Sequence, residues 1–256
     1  MSTGAGTLIK FDSNGNGSAF ATNLTDAAGL AVDASGNLYV MNGNAIEKFD
    51  PNGNMSLFAT STLSNPYQIA VDSSSNLYVA NFGTIEKFDA NGHESIFASG
   101  FNIFGLACDR SGNLYVETFS AIEEFDPGGN ESVFASSGIH LPGGLAFDSN
   151  GNLFVSNNSG SEIRKFDSSG NGALFTSDVD VPNGLAFDRS GNLYVADFGD
   201  SKIEEFSPSG VETNFATGLY QPRWIAIQVP EPATIALMTL GMCVSLFSHR
   251  LRRRSS

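Results

Sequence analysis

Positive charge is scarce in this sequence. Thirteen lysines and arginines stand against 27 aspartates and glutamates, a formal net charge of −14. Four of the arginines (Arg250, Arg252, Arg253 and Arg254) crowd into the last seven positions, so the first 229 residues carry 9 basic and 26 acidic groups. A surface this acidic repels phosphate backbones and anionic lipid, which argues against a nucleic-acid partner. Cysteine is nearly absent: Cys108 and Cys243 lie at neither disulfide nor metal-ligand spacing. The three histidines, His93, His140 and His249, sit after a turn, in a linker and in the terminal tail. No Ser-His-Asp order, zinc spacing or glycine-rich phosphate loop occurs. No catalytic or metal-ligating residue is therefore assigned from the sequence.

What the sequence has in plenty is one short unit. A Leu-Ala-Val-Asp run, a Ser-Gly-Asn turn and a Leu-Tyr-Val run recur at residues 30–40, 69–79, 106–116, 145–155 and 185–195, with a half-copy at 225–228. The anchoring Asp33, Asp72, Asp109, Asp148 and Asp188 are 39, 37, 39 and 40 residues apart. A Phe-Asp pair keeps the same beat at Phe11, Phe49, Phe88, Phe125 and Phe166, with Phe206-Ser207 after them. Within residues 184–217, Leu185-Ala186-Phe187 reads as a buried strand. Asp188 to Asn192 is a tight turn in which Asp and Asn bond their own backbone and Gly supplies a positive φ. Three further short strands complete a four-stranded antiparallel meander. Twelve of the 21 phenylalanines fall at two repeat positions, one on the third strand and one on the fourth. A lone meander cannot cover both its faces, so these rings require neighbouring units, and a β-propeller follows. The Asp-x-Ser-Gly-Asn turns are read as structural, with weak calcium binding as the alternative.

The stretch Pro182-Asn183-Gly184-Leu185-Ala186-Phe187-Asp188, then Gly191-Asn192-Leu193-Tyr194-Val195-Ala196-Asp197 and Ile203, resembles the NHL repeat of β-propeller proteins, over about residues 7–228. The resemblance implies six blades. The chain would supply third and fourth strands, five complete blades and a last first strand. Residues 224–228 would then pair near residues 8–21 to close the ring, giving a domain of residues 1–228. Loops entering the first strand and leaving the second emerge on one face. That face gathers Tyr67, Phe82, Phe104, Phe119, Phe198 and Trp224 beside Asn81 and Asp197, a candidate binding face for polysaccharide or protein. The resemblance gives Asp197 a different role, bonding the neighbouring loop.

Residues 229–256 break the pattern. Pro230-Glu231-Pro232 precedes an apolar run at 233–247, and a basic cluster follows. Fifteen residues is short for a span, which takes about 17–25. The position and the arginine stop nevertheless lead us to expect one C-terminal apolar membrane helix, its basic end cytoplasmic. The order resembles the PEP-CTERM sorting signal. That resemblance implies that Pro230, Glu231 and Pro232 are recognised by an exosortase-like membrane protease or transpeptidase, and that cleavage there releases the helix. Met1 to Gly6 has neither a basic start nor an apolar run. Met1 is thus expected to be internal to a longer reading frame that supplies a signal peptide. The expected function is an exported, surface- or matrix-associated, non-catalytic binding propeller. The alternative is a lactonase-like hydrolase or lyase with a metal at the central axis.

Overall fold

The computed structural model describes residues 6–25, 27–60, 63, 66–228, 234–239 and 242–247, the last two segments as backbone alone. Pro230, Glu231, Pro232, Arg250, Arg252, Arg253, Arg254 and the N-terminal residues 1–5 lie outside these residues.

The turn chemistry is the most regular feature. The Asp33 amide donates to the Asn37 carbonyl (3.0 Å) and the Gly36 amide to the Asp33 carbonyl (2.9 Å). The Asp33 carboxylate accepts the Ser35 and Asn37 amides at 2.9 Å each and the Asn37 side-chain amide at 2.7 Å. Gly36 takes a φ of +79°, which the turn requires and a Cβ resists. The same loop, with the Asp amide bonded to the carbonyl four residues on, recurs at Asp72, Asp109, Asp148 and Asp188, and at Asp12, Asp50, Asp89, Asp126 and Asp167. Each period of the sequence therefore folds as two hairpins.

Strands β1 (Gly6–Phe11) and β2 (Gly17–Leu24) come first. The first blade is β3 to β6 (Ala27–Val32, Leu38–Asn42, Ala45–Phe49, Met55–Thr60) and the second is β7 to β10 (Gln68–Val71, Leu77–Asn81, Thr84–Phe88, Glu94–Ser99). The third is β11 to β14 (Gly105–Cys108, Leu114–Glu117, Ile122–Phe125, Glu131–Ala135). The fourth is β15 to β18 (Pro142–Phe147, Leu153–Asn157, Glu162–Phe166, Gly172–Thr176). The fifth is β19 to β22 (Pro182–Phe187, Leu193–Asp197, Lys202–Phe206, Glu212–Ala216). Strands β23 (Pro222–Gln228), β24 (Thr234–Thr239) and β25 (Met242–Phe247) follow. The protein is thus an all-β propeller of four-stranded antiparallel blades.

Three expectations are corrected here. The chain forms five blades, not six, because only five units carry all four strands of the repeat. The ends instead form a closing sheet of order β2-β1-β24-β23, with β25 on β24. Residues 224–228 do not pair with β1: β24 lies between them, matching Phe11 to Ile235 on one side and Ile227 to Ile235 on the other. The apolar run is a hairpin, β24 and β25, and not a helix. Sequence and topology both favour this outcome. Gly241 interrupts the run, and a strand satisfies the backbone edges of β1 and β23 that a helix would leave open. No helix among the described residues is long and apolar enough to cross a membrane.

Six apolar clusters fill the interfaces between neighbouring sheets. The repeated phenylalanines join them. Phe97 on β10 meets Tyr78 of its own blade edge-on at 5.0 Å and Phe125 of the next at 5.7 Å. Phe175 does the same with Phe154 (5.1 Å) and Phe206 (5.7 Å). Phe215 reaches across to Phe11 of β1 (6.2 Å), which carries the ladder into the closing sheet. Such pairs add about 0.5–1.5 kcal/mol each beyond the area they bury.

Candidate functional site

The innermost strands β3, β7, β11, β15, β19 and β23 surround the axis. At the mouth where first strands turn into second strands lies a cavity of about 500 Å³ lined by Val32, Val71, Cys108, Phe147 and Phe187, with Arg110 and Arg189 at its rim. Four turn aspartates also line it, but their carboxylates are committed to their own turns. Asp148, for example, accepts the amides of Asn150 (2.8 Å) and Asn152 (2.9 Å) and the Asn152 side chain (2.7 Å). Burial pushes the Cys108 thiol far up, so it packs as an apolar group.

Deeper in, the axis narrows to about 60 Å³ among Leu30, Ile69, Leu106, Leu145, Leu185 and Ile225, with Gln68 and Trp224 beside them. An apolar ring with one amide offers no ligand set for a metal, so the axis does not fit the ion that the alternative reading placed there. Glu117 lies just behind this ring: its Oε2 sits 2.7 Å from where a Cβ on Gly105 would be, and Leu145 touches the same point. Glu117 is fully buried and neither carboxylate oxygen has a partner. Desolvation holds this carboxyl well above the usual carboxylate range.

The opposite face carries the loops singled out from the sequence. Five of its eight candidates meet in a pocket of about 360 Å³ between the second and third blades: Tyr67, Asn81, Phe82, Phe104 and Phe119. Trp224 sits at the axis instead, and Phe198 lies under the Arg223 guanidinium, 4.7 Å from ring centre to Cζ. Asp197 is fully buried and ties loops together, accepting the Asp180 amide at 2.9 Å and the Asp200 amide at 3.0 Å. Asn157 does the same for the His140 amide at 3.0 Å.

Beside Asp197, between the fourth and fifth blades, four charged groups converge. Oxygens of Asp197, Asp200 and Glu204 lie within 4.8 Å of one another, the donor set of a cation site. The cation is Lys202: its Nζ stands 2.7 Å from Glu204 Oε1 and 3.0 Å from Asp200 Oδ2. The contact with Glu204 is an ion pair outside hydrogen-bond alignment, and Glu204 Oε2 has no partner. Glu204 is fully buried while the Asp200 side chain is half exposed. Desolvation raises Glu204 to about 7; Lys202 opposes the shift and Asp197 adds to it. Despite its partial burial, Lys202 is pushed up by its two carboxylates and stays an ammonium. A carboxyl that exchanges its proton near neutrality, next to a fixed positive charge, can serve as a general base with an oxyanion stabiliser.

The histidines do not converge. His93 replaces Asn at the end of a turn, its Nδ1 2.8 Å from Asp89 Oδ2. Amide and imidazole bonds of His93 hold Asp89 down at about 2. His249 lies outside the described residues. Sequence reasoning missed Glu117 and the Lys202–Glu204 pair. Both were detectable by comparing repeats in phase. Glu117 stands where the other blades have Met41, Ala80, Ser156 and Ala196, and Lys202 stands where they have Ala45, Thr84, Ala121 and Glu162.

No protein-family profile and no curated protein matches this chain. Solved structures do. A streptogramin B lyase aligns with a TM-score of 0.68 at 15% identity, over 91% of this chain and 80% of that one. A gluconolactonase from Xanthomonas campestris aligns with a TM-score of 0.71 at 19% identity, over 86% and 84%. A chain of the nidogen/laminin complex aligns with a TM-score of 0.70 at 20% identity, over 82% and 94%. These are likenesses of fold. They correct the expectation of a non-catalytic scaffold, which took the regularity of the repeat as evidence against an embedded active site. Lyases and gluconolactonases recur among the propellers this chain resembles, so regularity and catalysis coexist in this architecture.

Proposed function

We propose that this propeller is a lactonase-like hydrolase that opens the ring ester of a neutral, hydroxylated substrate at the Lys202–Glu204 centre. The observation that carries this is the pairing of a carboxyl raised to about 7 with an ammonium 2.7 Å away, beside an Asp200 side chain that is half exposed. Glu204, once ionised, takes a proton from water as its oxygen adds to the ester carbonyl. Lys202 leaves Glu204 to face the oxyanion. The ring C–O bond then breaks and the proton passes from Glu204 to the leaving alkoxide, which leaves a hydroxy acid. Lys202 holds the position that a cation would take among Asp197, Asp200 and Glu204, so the steps are assigned to these side chains. A neutral substrate also suits a chain of net charge −14, whose field repels anions.

The test is acid release from glucono-δ-lactone and a small panel of simple lactones. Turnover above buffer is expected, falling about 100-fold or more in Glu204→Gln. An absence of turnover across the panel, or an unaffected Glu204→Gln enzyme, refutes it.

We infer separately, from sequence order alone, that the tail directs export. Pro230-Glu231-Pro232, the apolar run and the terminal arginines would be read by an exosortase-like membrane enzyme, with release to the cell surface or medium at the expense of β24 and β25 in the closing sheet. Mass spectrometry of the mature C-terminus decides this. Retention of Arg254 in cells with and without the enzyme contradicts it.

A further inference from the structure

We propose that the pocket between the second and third blades binds one uncharged pyranose ring of a carbohydrate, stacked on Phe82 and Phe119 with Asn102 meeting its hydroxyls. The site is distinct from the Lys202–Glu204 centre, which lies between the fourth and fifth blades, and does not depend on it.

Of the pocket's four aromatics, Tyr67, Phe82, Phe104 and Phe119, only Tyr67 packs against the apolar clusters between the blades. Tyr67 and Phe104 occupy one repeat position, where the other inner strands carry Ala28, Gly143, Asn183 and Arg223. Phe82 and Phe119 occupy a second, which Phe198 shares in the fifth blade, while the first blade has Gly43 and the fourth Asn158. Two departures from the repeat, Tyr67 and Phe104, therefore meet two exposed phenylalanines in one pocket. Phe82 is 80% exposed and Phe119 58%, apolar surface left in water with no share in the core. Phe119 is nevertheless held in place. Phe104 meets it edge-on, with ring centres 4.8 Å apart and planes at 86°, so the wall is set before a ligand arrives. Tyr67 is half-buried, its amide bonded to the Ala80 carbonyl at 3.2 Å. Its hydroxyl is pushed up to about 12 by burial and remains a hydrogen-bond donor.

The lining holds no charged side chain. In a strongly acidic protein this selects against anions, which the field repels, and gives cations no local partner. The Asn102 amide offers both donors and an acceptor, as vicinal hydroxyls require, while the Asn81 amide donates to Thr84 Oγ1 at 3.3 Å. A pyranose presents a C–H face to the rings and hydroxyls to the rim. An aromatic peptide side chain fits the walls but has little to offer the Asn102 amide. About 360 Å³ suits one sugar ring rather than an extended chain.

Calorimetric titration with cellopentaose, maltopentaose, mannopentaose and an alginate oligomer tests this. At least one neutral oligosaccharide should bind saturably, while the anionic alginate does not. Phe82→Ala and Phe119→Ala should each weaken binding about tenfold, or about 1.4 kcal/mol, with an unchanged melting temperature. Phe82 has the more exposed ring, so its variant keeps the test meaningful even if Phe119→Ala loosens Phe104. Glu204→Gln should bind the sugar as the parent does, which separates this site from the proposed hydrolysis. The proposal is overturned by no heat with any neutral probe, by undiminished binding in both variants, or by stronger binding of alginate. A dimer that Phe82→Ala dissolves, without sugar binding, would assign the pocket to a second copy of the chain.

Discussion

Lys202 Nζ lies 2.7 Å from Glu204 Oε1, and of the influences on Glu204 the ammonium alone pulls its titration downward. Desolvation and Asp197 push it up. Replacing Lys202 with Met should therefore move Glu204 above its present value of about 7. Carbon-detected NMR titration of the side-chain carboxyl reads this directly. A downward move would mean that Lys202 is not the group that keeps Glu204 ionisable near neutrality.

The same shift makes stability depend on pH. Glu204 titrates near 7 in the folded chain and near its ordinary carboxyl value when unfolded. The folded state thus binds the proton more tightly. This contribution is fully present below about pH 4.5 and is lost as pH rises through 7. Glu204→Gln should flatten that part of the profile of urea midpoint against pH between 4.5 and 7.5.

Glu117 should show an effect of the same sign. Its carboxyl is buried, has no hydrogen-bond partner and is pushed well above the usual range by desolvation, so a rise in pH above the unfolded range weakens the fold. Met41 fills the equivalent place in the first blade. Glu117→Met should stabilise the protein at pH 7 by about 1–3 kcal/mol. That corresponds to a melting temperature higher by roughly 2–4 °C per kcal/mol. The gain should grow from pH 5 to pH 9, and a variant less stable at pH 9 would show that Glu117 has a compensating partner.

The closing sheet carries a further consequence. Strand β24 pairs on one side with β1 and on the other with β23, so a chain ending at Gln228 exposes both edges. Such a chain should melt lower by several degrees and self-associate at rising concentration. Sedimentation velocity alongside thermal melting checks this. An equally stable monomer would show that β1 and β23 close the ring without the tail.

Much of this was legible in the residues. The beat of Asp33 to Asp188 fixed the blade period, because Asp, Gly and Asn at those offsets satisfy one turn and little else. The phenylalanines of the third and fourth strands were readable as core, since an aromatic at constant phase must face a neighbour. The closing sheet was not legible: an apolar run such as residues 233–247 suits a membrane helix or a buried strand equally well, and only the open edges of β1 and β23 decide between them. The charged centre was hidden for a related reason. Glutamate recurs at the third position of Ala45–Phe49, Thr84–Phe88 and Lys202–Phe206 and reads as ordinary strand surface. What sets Glu204 apart is complete burial beside a lysine two residues earlier, a tertiary fact.

The dependence of kcat/KM on pH, measured with a hydrolysable lactone, tests the central claim most directly. Activity that rises with pH through a single step near 7, and loses that step in Glu204→Gln, is the predicted result. A profile flat from pH 5 to 9, or the same step in Glu204→Gln, would contradict a role for Glu204 as the base.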